Sequence, residues 1–230
     1  MTNKKTIIFG IIALSVLGGV VWFAGQSDLP MTGQVASILG DNSSKEESLQ
    51  PAEEEFALGS PKAPVTIVEY SSHLCGHCAN FHLQTLPLIM EKYIKTGQVR
   101  LIPRRLSPSE LGQALLCAQE QGRFQQVDEY LFKNSQKLIQ ETKKVSSADE
   151  IKGVVADWLK AMAGNLDLNQ DSFNQCFDSG RYQERVLNWF NQAKEAKITG
   201  TPTFLINDQP IIGSQPYSQF EKIIEQELNQ

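Results

Sequence analysis

The chain has 230 residues, of which 41% are hydrophobic and 20% are charged, and its formal net charge at pH 7 is −5. This length allows one domain or two small ones. The acidic balance argues against a protein that binds nucleic acid through a basic face. We therefore expect a soluble, mildly acidic folded body.

The first 25 residues differ in character from the rest of the chain. Lys4 and Lys5 precede an uncharged apolar run from Thr6 to Ala24, which as a helix spans about 28 Å, close to the hydrocarbon thickness of a bilayer. The lysines predict that the N-terminus stays in the cytoplasm, so residues 1–25 are interpreted as an uncleaved signal-anchor or transmembrane segment. A cleaved signal peptide is the alternative, and both interpretations export the chain from residue 26 onward.

A composition change separates the apolar segment from the expected domain. Residues 26–55 are polar and acidic, which predicts a flexible linker. Residues 56–230 are expected to fold, beginning with a strand at residues 63–72 that is rich in β-branched side chains. A helix from about Cys78 to Lys95 should follow it.

Helical periodicity dominates the middle of the chain. Pro87 predicts a kink in the first helix, and residues 98–103 indicate a second strand. In residues 107–197 apolar side chains then repeat at helical spacing without a strand pattern. Ser147 and Glu150 predict a capping box at the start of one of these helices.

Strand character returns near the C-terminus. Residues 203–206 and 211–212 flank Asn207-Asp208-Gln209-Pro210, which is typical of a hairpin. A second capping box, at Ser218 and Glu221, precedes the apolar stripe of a final helix. The order is therefore β-α-β, a helical block, and β-β-α.

All three histidines and two of the four cysteines lie in one short segment, residues 71–82, with the sequence SSHLCGHCANFH. Covalent haem attachment requires a histidine directly after the second cysteine, and Ala79 occupies that place. His73, Cys75, Cys78 and His82 could in principle bind a metal, but they crowd around one helix start instead of forming the spaced pairs of a zinc finger. A static disulfide across two residues would close only a very short loop.

Thiol–disulfide exchange accounts best for this segment. A cysteine pair between a strand and a helix places its first member at the positive end of the helix dipole, which favours a thiolate. Cys75 is therefore predicted to be the nucleophile, and Cys78, one turn into the helix, the buried resolving thiol. His77 lies between them and can add positive charge or a hydrogen bond to the Cys75 thiolate. His73 and His82 are interpreted as ordinary packed or helix-surface residues, with His73 possible at the edge of the site.

Three segments together resemble the DsbA-like branch of the thioredoxin superfamily: VTIVEYSS leading into CGHC, the helical insertion, and GTPTF. The resemblance covers residues 57–230 and implies a thioredoxin-like α/β fold with a helical insertion at about 107–197. It also implies a cis-proline, Pro202 after Thr201, which faces the cysteines and docks extended substrates. Glu69 matches the family's buried glutamate, for which we expect a raised pKa and proton exchange with Cys78.

The resemblance implies an oxidase that introduces disulfides into unfolded exported proteins and is recharged by a quinone-linked membrane oxidoreductase. The chain has Gly-His between its cysteines where the family's best-known oxidase has Pro-His, so a reductase or isomerase remains the alternative. A Cys/His metal-binding protein is a more distant one. We expect no cofactor, no bound metal and no nucleic-acid partner. The expected location is the cell membrane, with the catalytic domain on the periplasmic side, or the periplasm itself after cleavage.

The remaining two cysteines are predicted to form a structural disulfide. Cys117 and Cys176 each lie beside an apolar helical stripe of the insertion, so both should face its interior. Paired thiols are stable in an exported protein. Two separate buried thiols are the alternative.

Overall fold

The computed structural model describes residues 55–207 and 209–230. The predicted membrane or signal segment, residues 1–25, and linker residues 26–54 lie outside this part of the chain. Among the described residues, no helix has the length and hydropathy needed to cross a bilayer.

The described residues contain a four-stranded sheet in the order β2-β1-β3-β4. The strands are β1 Val65–Ser71, β2 Val99–Arg105, β3 Thr203–Ile206 and β4 Gln209–Ile212. β1 pairs parallel with β2 and antiparallel with β3, and β3 pairs antiparallel with β4. A parallel pair requires a crossover connection, which the helix after β1 supplies.

That crossover helix alternates between α and π geometry. Its segments are α1 Gly76–Asn80, π1 Phe81–Thr85, α2 Leu86–Ile89 and π2 Met90–Ile94. The helix begins two residues before the predicted start, because Cys75 already acts as its N-cap residue. Pro87 lies in the first turn of α2, directly after π1. A proline cannot donate the usual helical hydrogen bond, and the helix changes geometry at the place where the sequence predicts a kink.

Five helices form the insertion between β2 and β3, within residues that are all described. They are α3 Ser109–Gln119, α4 Phe124–Thr142, α5 Ala148–Asn165, α6 Gln170–Ser179 and α7 Gln183–Glu195. A last helix, α8 Tyr217–Leu228, follows the hairpin. The predicted strand-free helical block is therefore confirmed.

The sheet is covered on both faces. On one face Ile67 and Phe204 pack with Phe81 of the crossover helix and with Phe220 and Ile224 of α8. On the other face Val68, Tyr70 and Ile102 pack against Ala193 of α7. The insertion has its own core, centred on α3, to which Leu115, Phe124, Leu159 and Phe173 contribute.

Two strands are longer than the sequence predicts. β2 continues past Pro103 to Arg105, and β4 begins at Gln209 and includes Pro210. Both strands lie at the edges of the described sheet. An edge strand tolerates a proline because one side of its backbone has no strand partner.

One predicted capping box forms and the other does not. The Ser147 hydroxyl accepts from the Glu150 N–H and the Glu150 carboxylate accepts from the Ser147 N–H, as predicted. The box at Ser218 and Glu221 is wrong, since α8 already begins at Tyr217 after Pro216. Glu221 instead accepts hydrogen bonds from Lys92 and the Tyr217 hydroxyl.

The first described residue already takes part in the packing of the domain. Glu55, assigned above to the linker, has a side chain that is 3% exposed and forms an ion pair with the buried Arg104. Its carboxylate also accepts a hydrogen bond from Trp189 Nε1 of α7. Leu58 then pairs with Leu101 on the outer side of β2.

Candidate active site

The cysteine pair lies at the start of the crossover helix that follows β1. Cys75 has an extended backbone, with φ −96° and ψ 118°, and occupies the N-cap position of α1. Its carbonyl accepts the first helical hydrogen bond, from the Ala79 N–H at 3.0 Å. Cys78 lies in the first turn and has no solvent exposure. Both are free thiols in this structure.

Cys75 is partly exposed and has a lowered pKa. Burial on its own raises the pKa of this thiol, but hydrogen bonds from the Cys78 side chain and from the Cys78 and His77 backbone N–H groups bring it below its ordinary value. The helix N-terminus thus supplies donors to the sulfur. The Cys75 sulfur also lies 3.5 Å from the Thr201 carbonyl oxygen, to which its thiol donates.

Cys78 has the opposite character. Burial raises its pKa to about 12, so it is a neutral thiol over the physiological range. Its sulfur accepts a hydrogen bond from the Ser72 N–H at 3.5 Å. One partly exposed thiol with a lowered pKa and one buried thiol with a raised pKa form a pair in which Cys75 is the better nucleophile.

The Thr201–Pro202 segment faces the pair. Its peptide bond is cis, the isomer expected from the sequence. Pro202 is buried, and its carbonyl accepts from the Gly213 N–H at 2.8 Å. The Thr201 carbonyl is the group that contacts Cys75, so the segment's backbone reaches the reactive sulfur.

His77 is exposed in the first turn of α1. Its backbone N–H acts on Cys75, but within the described residues its ring has no hydrogen bond to either sulfur. The contribution expected from its side chain therefore stays a prediction.

Glu69 is fully buried, but the expectation of a raised pKa is wrong. Burial alone would raise it, yet the Arg105 guanidinium and the His82 ring bring the pKa of Glu69 to about 2. His82 Nε2 lies 2.7 Å from one carboxylate oxygen, and Arg105 Nη1 lies 2.9 Å from the other. Arg105 Nη1 pairs with Glu69 as an ion pair and also donates to the Ser71 hydroxyl at 2.7 Å. An ionised Glu69 with these partners is a poor proton acceptor for Cys78.

Glu69 belongs to a larger buried network that sequence reasoning missed. Arg105 donates two hydrogen bonds to Asp128 of α4, from Nε to Oδ1 at 2.8 Å and from Nη2 to Oδ2 at 2.6 Å. Burial opposes ionisation of Asp128, but Arg105 lowers its pKa far below the ordinary range. Asp128 and His82 also border a cavity of about 240 Å³.

His73 and His82 are not ordinary packed residues. His73 is fully buried, and its ring bonds both Asp128 and Ser107. His82 stacks on Phe132 with ring centroids 3.8 Å apart while it bonds Glu69. Each histidine directs Nε2 to a carboxylate. Among the residues that the structure describes, no group of three or more His, Cys, Asp or Glu side chains has a metal-binding arrangement.

Cys117 and Cys176 form a disulfide that joins α3 to α6, with their Cα atoms 5.7 Å apart. Both residues are buried in the core of the insertion. Neither cysteine at the start of α1 belongs to that core.

A strand, a CxxC pair at a helix N-terminus and a cis-proline that faces it, on a four-stranded sheet, define a protein of thioredoxin fold. A family model described as thioredoxin matches residues 51–226. The chain belongs to the thioredoxin family, in its DsbA-like thiol-disulfide oxidoreductase branch.

Relatives and solved structures agree with this placement. A Bacillus anthracis protein described as disulfide bond formation protein D is 24% identical, over 96% of this chain and 94% of that protein. A Rickettsia typhi protein described as a protein-disulfide oxidoreductase is 28% identical over 66% of this chain, and the match spans only 54% of that relative. The crystal structure of Wolbachia pipientis alpha-DsbA1 has a TM-score of 0.68 at 25% identity, covering 80% of this chain and 95% of that one. For oxidised BdbD from Bacillus subtilis the TM-score is 0.63 at 22% identity, with coverage of 79% and 97%.

Proposed function

We propose that the chain is an extracytoplasmic oxidase that introduces disulfides into unfolded exported proteins through Cys75 and Cys78. The observation that carries this proposal is the opposite environment of the two thiols, with the pKa of Cys75 lowered and that of Cys78 raised to about 12. Stabilisation of the Cys75 thiolate favours the reduced pair, which makes the disulfide a stronger oxidant.

In the oxidised enzyme a substrate thiolate attacks the Cys75 sulfur. A mixed disulfide forms, the Cys75–Cys78 bond breaks, and Cys78 leaves and takes up a proton. A second substrate thiolate then attacks the substrate sulfur of the mixed disulfide and releases Cys75 as a thiolate. Two electrons pass from the substrate to the cysteine pair, and no cofactor is required.

The substrate segment would dock in extended form along Thr201 and Pro202. Pro202 has no N–H, and the Thr201 carbonyl already lies beside the Cys75 sulfur. An extended chain that adds backbone hydrogen bonds here would bring its cysteine to the exposed thiol. Replacement of Pro202 by alanine should therefore slow substrate release.

We place the catalytic domain outside the cytoplasm, tethered by residues 1–25 or released after cleavage. The uncharged run after Lys4 and Lys5 supports a membrane segment. The Cys117–Cys176 disulfide supports an oxidising compartment. Recharging of Cys75 and Cys78 is assigned to a quinone-linked membrane oxidoreductase.

The test is oxidation of a reduced, unfolded protein by the full chain, combined with a redox titration against glutathione. The wild type should form substrate disulfides, and Cys75→Ser should form none. An oxidase should titrate nearer the ~−120 mV of DsbA than the ~−270 mV of thioredoxin. A potential near the thioredoxin value would favour the alternative, a reductase, for which the Gly-His dipeptide between the cysteines is the supporting observation.

A further inference from the structure

We propose that His73 is a positioning residue for Cys78: through Ser107 and Asp128 it holds the Ser72 N–H on the Cys78 sulfur and so promotes the step in which Cys78 acts as nucleophile. The proposal rests on the proposed function of the cysteine pair. It assigns a role to a buried histidine that acts through its neighbour in the chain.

His73 is fixed at both its backbone and its ring. Its main-chain N and its ring Nδ1 each lie 2.9 Å from the Ser107 hydroxyl oxygen, and its ring Nε2 lies 2.8 Å from Asp128 Oδ1. Burial lowers the pKa of His73 despite the nearby Asp128, so the ring is neutral. Nε2–H then donates to Asp128, and Nδ1 accepts from the Ser107 hydroxyl, which itself accepts the His73 N–H.

The contacts of His73 lie next to the backbone N–H group that touches Cys78. Ser72 directly precedes His73, and its N–H donates to the Cys78 sulfur at 3.5 Å. On the other side of Ser72, the Ser71 carbonyl accepts from the Leu106 N–H at 2.7 Å. The backbone on either side of the Ser72 N–H is therefore hydrogen-bonded to the segment that follows β2.

The Ser72 N–H matters most when Cys78 is charged. When the reduced pair meets glutathione disulfide, the Cys75 thiolate attacks first, a mixed disulfide forms and one glutathione thiolate leaves. Cys78 then loses its proton to water and attacks the Cys75 sulfur, so that the Cys75–Cys78 bond forms and the second glutathione leaves as a thiolate that takes up a proton. A hydrogen bond to a thiolate is stronger than one to a thiol, so this donor assists the second step.

Charged or titratable neighbours act on both His73 and Cys78. Asp128 from α4, Arg105 from β2 and His82 from π1 act on His73. Cys75, at the start of α1, is the titratable group that acts on Cys78. A change in the pH profile of the second step, without a change in the first, can therefore be assigned to Cys78.

The experiment follows both steps by mass spectrometry of quenched reactions of the reduced protein with glutathione disulfide, across neutral and alkaline pH. His73→Phe keeps an aromatic ring beside Phe132, whose ring centroid lies 4.6 Å from that of His73, but removes the ring hydrogen bonds. It should slow the second step about tenfold and move its pH profile about one unit upward. The first step, attack by Cys75, should be unchanged.

Ser107 supplies a second test and Tyr70 a matched control. Ser107→Ala should behave as His73→Phe does, whereas Ser107→Thr keeps the hydroxyl and should restore the wild-type rate. Tyr70→Phe removes a buried hydrogen bond that Arg104 of the neighbouring strand β2 donates to the Tyr70 hydroxyl, and it should change neither step. This control separates a general loss of stability from a specific effect on Cys78.

The proposal is overturned if folded His73→Phe and Ser107→Ala complete the second step at the wild-type rate and pH profile, or if both steps slow together. If His73→Phe does not fold, the comparison of Ser107→Ala with Ser107→Thr decides in the same way. A wild-type protein that does not react with glutathione disulfide at all would instead overturn the proposed function, and the role of His73 with it.

Discussion

At the scale of single residues, one set of groups sets the reactivity of Cys75 and another neutralises the buried carboxylates. Hydrogen bonds at the start of α1 set the reactivity of Cys75, while Arg105 neutralises the buried carboxylates of Glu69 and Asp128. Buried charges are tolerated only when they are paired and hydrogen-bonded. Arg105 is itself almost fully buried, so its role is to stabilise the fold beneath the cysteines.

Glu69→Gln tests this role through the pH dependence of stability. Because the folded-state pKa of Glu69 is about 2 and its ordinary value is 4.5, its contribution is complete above pH 4.5 and is lost as the pH falls through about 2. The variant should have a free energy of unfolding about 3 kcal/mol lower at neutral pH. The difference should shrink as the pH falls, as measured by urea unfolding at several pH values.

Glu129→Gln is the matched control, since the Glu129 side chain is 56% exposed in its pair with Lys133. Its effect should be small at every pH. A gap between Glu69→Gln and wild type that stays constant down to pH 2 would contradict the assignment of a low pKa to Glu69.

The sequence could predict the residues whose roles are local. Cys75, Cys78 and Pro202 lie in short motifs whose spacing carries the chemistry. His73 could not be assigned, because its partners Ser107 and Asp128 lie 34 and 55 positions away in the chain. The ionised state of Glu69 likewise depends on Arg105, and the only local signal was a charged residue at the end of an apolar strand.

At the scale of elements, the two predicted capping boxes show when a local sequence pattern is enough to predict a helix cap. The box at Ser147 forms because Ser147 has the extended backbone that an N-cap requires. Ser218 lies inside the first turn of α8 and cannot cap it. The same sequence pattern therefore has two outcomes, decided by where the preceding chain enters the helix.

Two serine substitutions test that difference. Ser147→Ala should lower the free energy of unfolding by about 1 kcal/mol, because the Glu150 N–H loses its acceptor. Ser218→Ala should change it by less than about 0.5 kcal/mol. Thermal and urea unfolding of both variants provide the measurement, and equal losses would show that the two sites are not distinct.

Glu55 ties the start of the domain to its interior. Its carboxylate is the acceptor for both Arg104 and Trp189, from β2 and α7. Glu55→Ala should lower the free energy of unfolding by roughly 1–3 kcal/mol, because Arg104 loses one of its ion-pair partners and Trp189 Nε1 loses its acceptor. Glu129→Ala, at an exposed position of α4, should have little effect under the same urea titration; similar losses for both would refute the anchoring role.

At the scale of the whole molecule, the insertion is held by a covalent link of its own. The Cys117–Cys176 disulfide spans a sequence separation of 59 residues, for which the chain-entropy model gives about 4 kcal/mol. The double variant Cys117→Ala, Cys176→Ala should lose about that much stability while it keeps exchange at Cys75. After mild reduction, thiol counts under denaturing conditions should find two thiols; four equally reducible thiols would contradict the structural role.

The central claim is that Cys75 exchanges disulfides with protein substrates and that Cys78 is its partner in the redox-active disulfide. The most direct measurement uses Cys78→Ser, activated at its remaining active-site thiol as a mixed disulfide with a small thiol and incubated with a reduced, unfolded protein. Mass mapping should find a covalent complex joined through Cys75, which persists when the substrate has a single cysteine because neither Cys78 nor a second substrate thiol can then resolve it. A substrate bound through Cys117 or Cys176, or no covalent complex with a wild-type-like fold, would contradict the account.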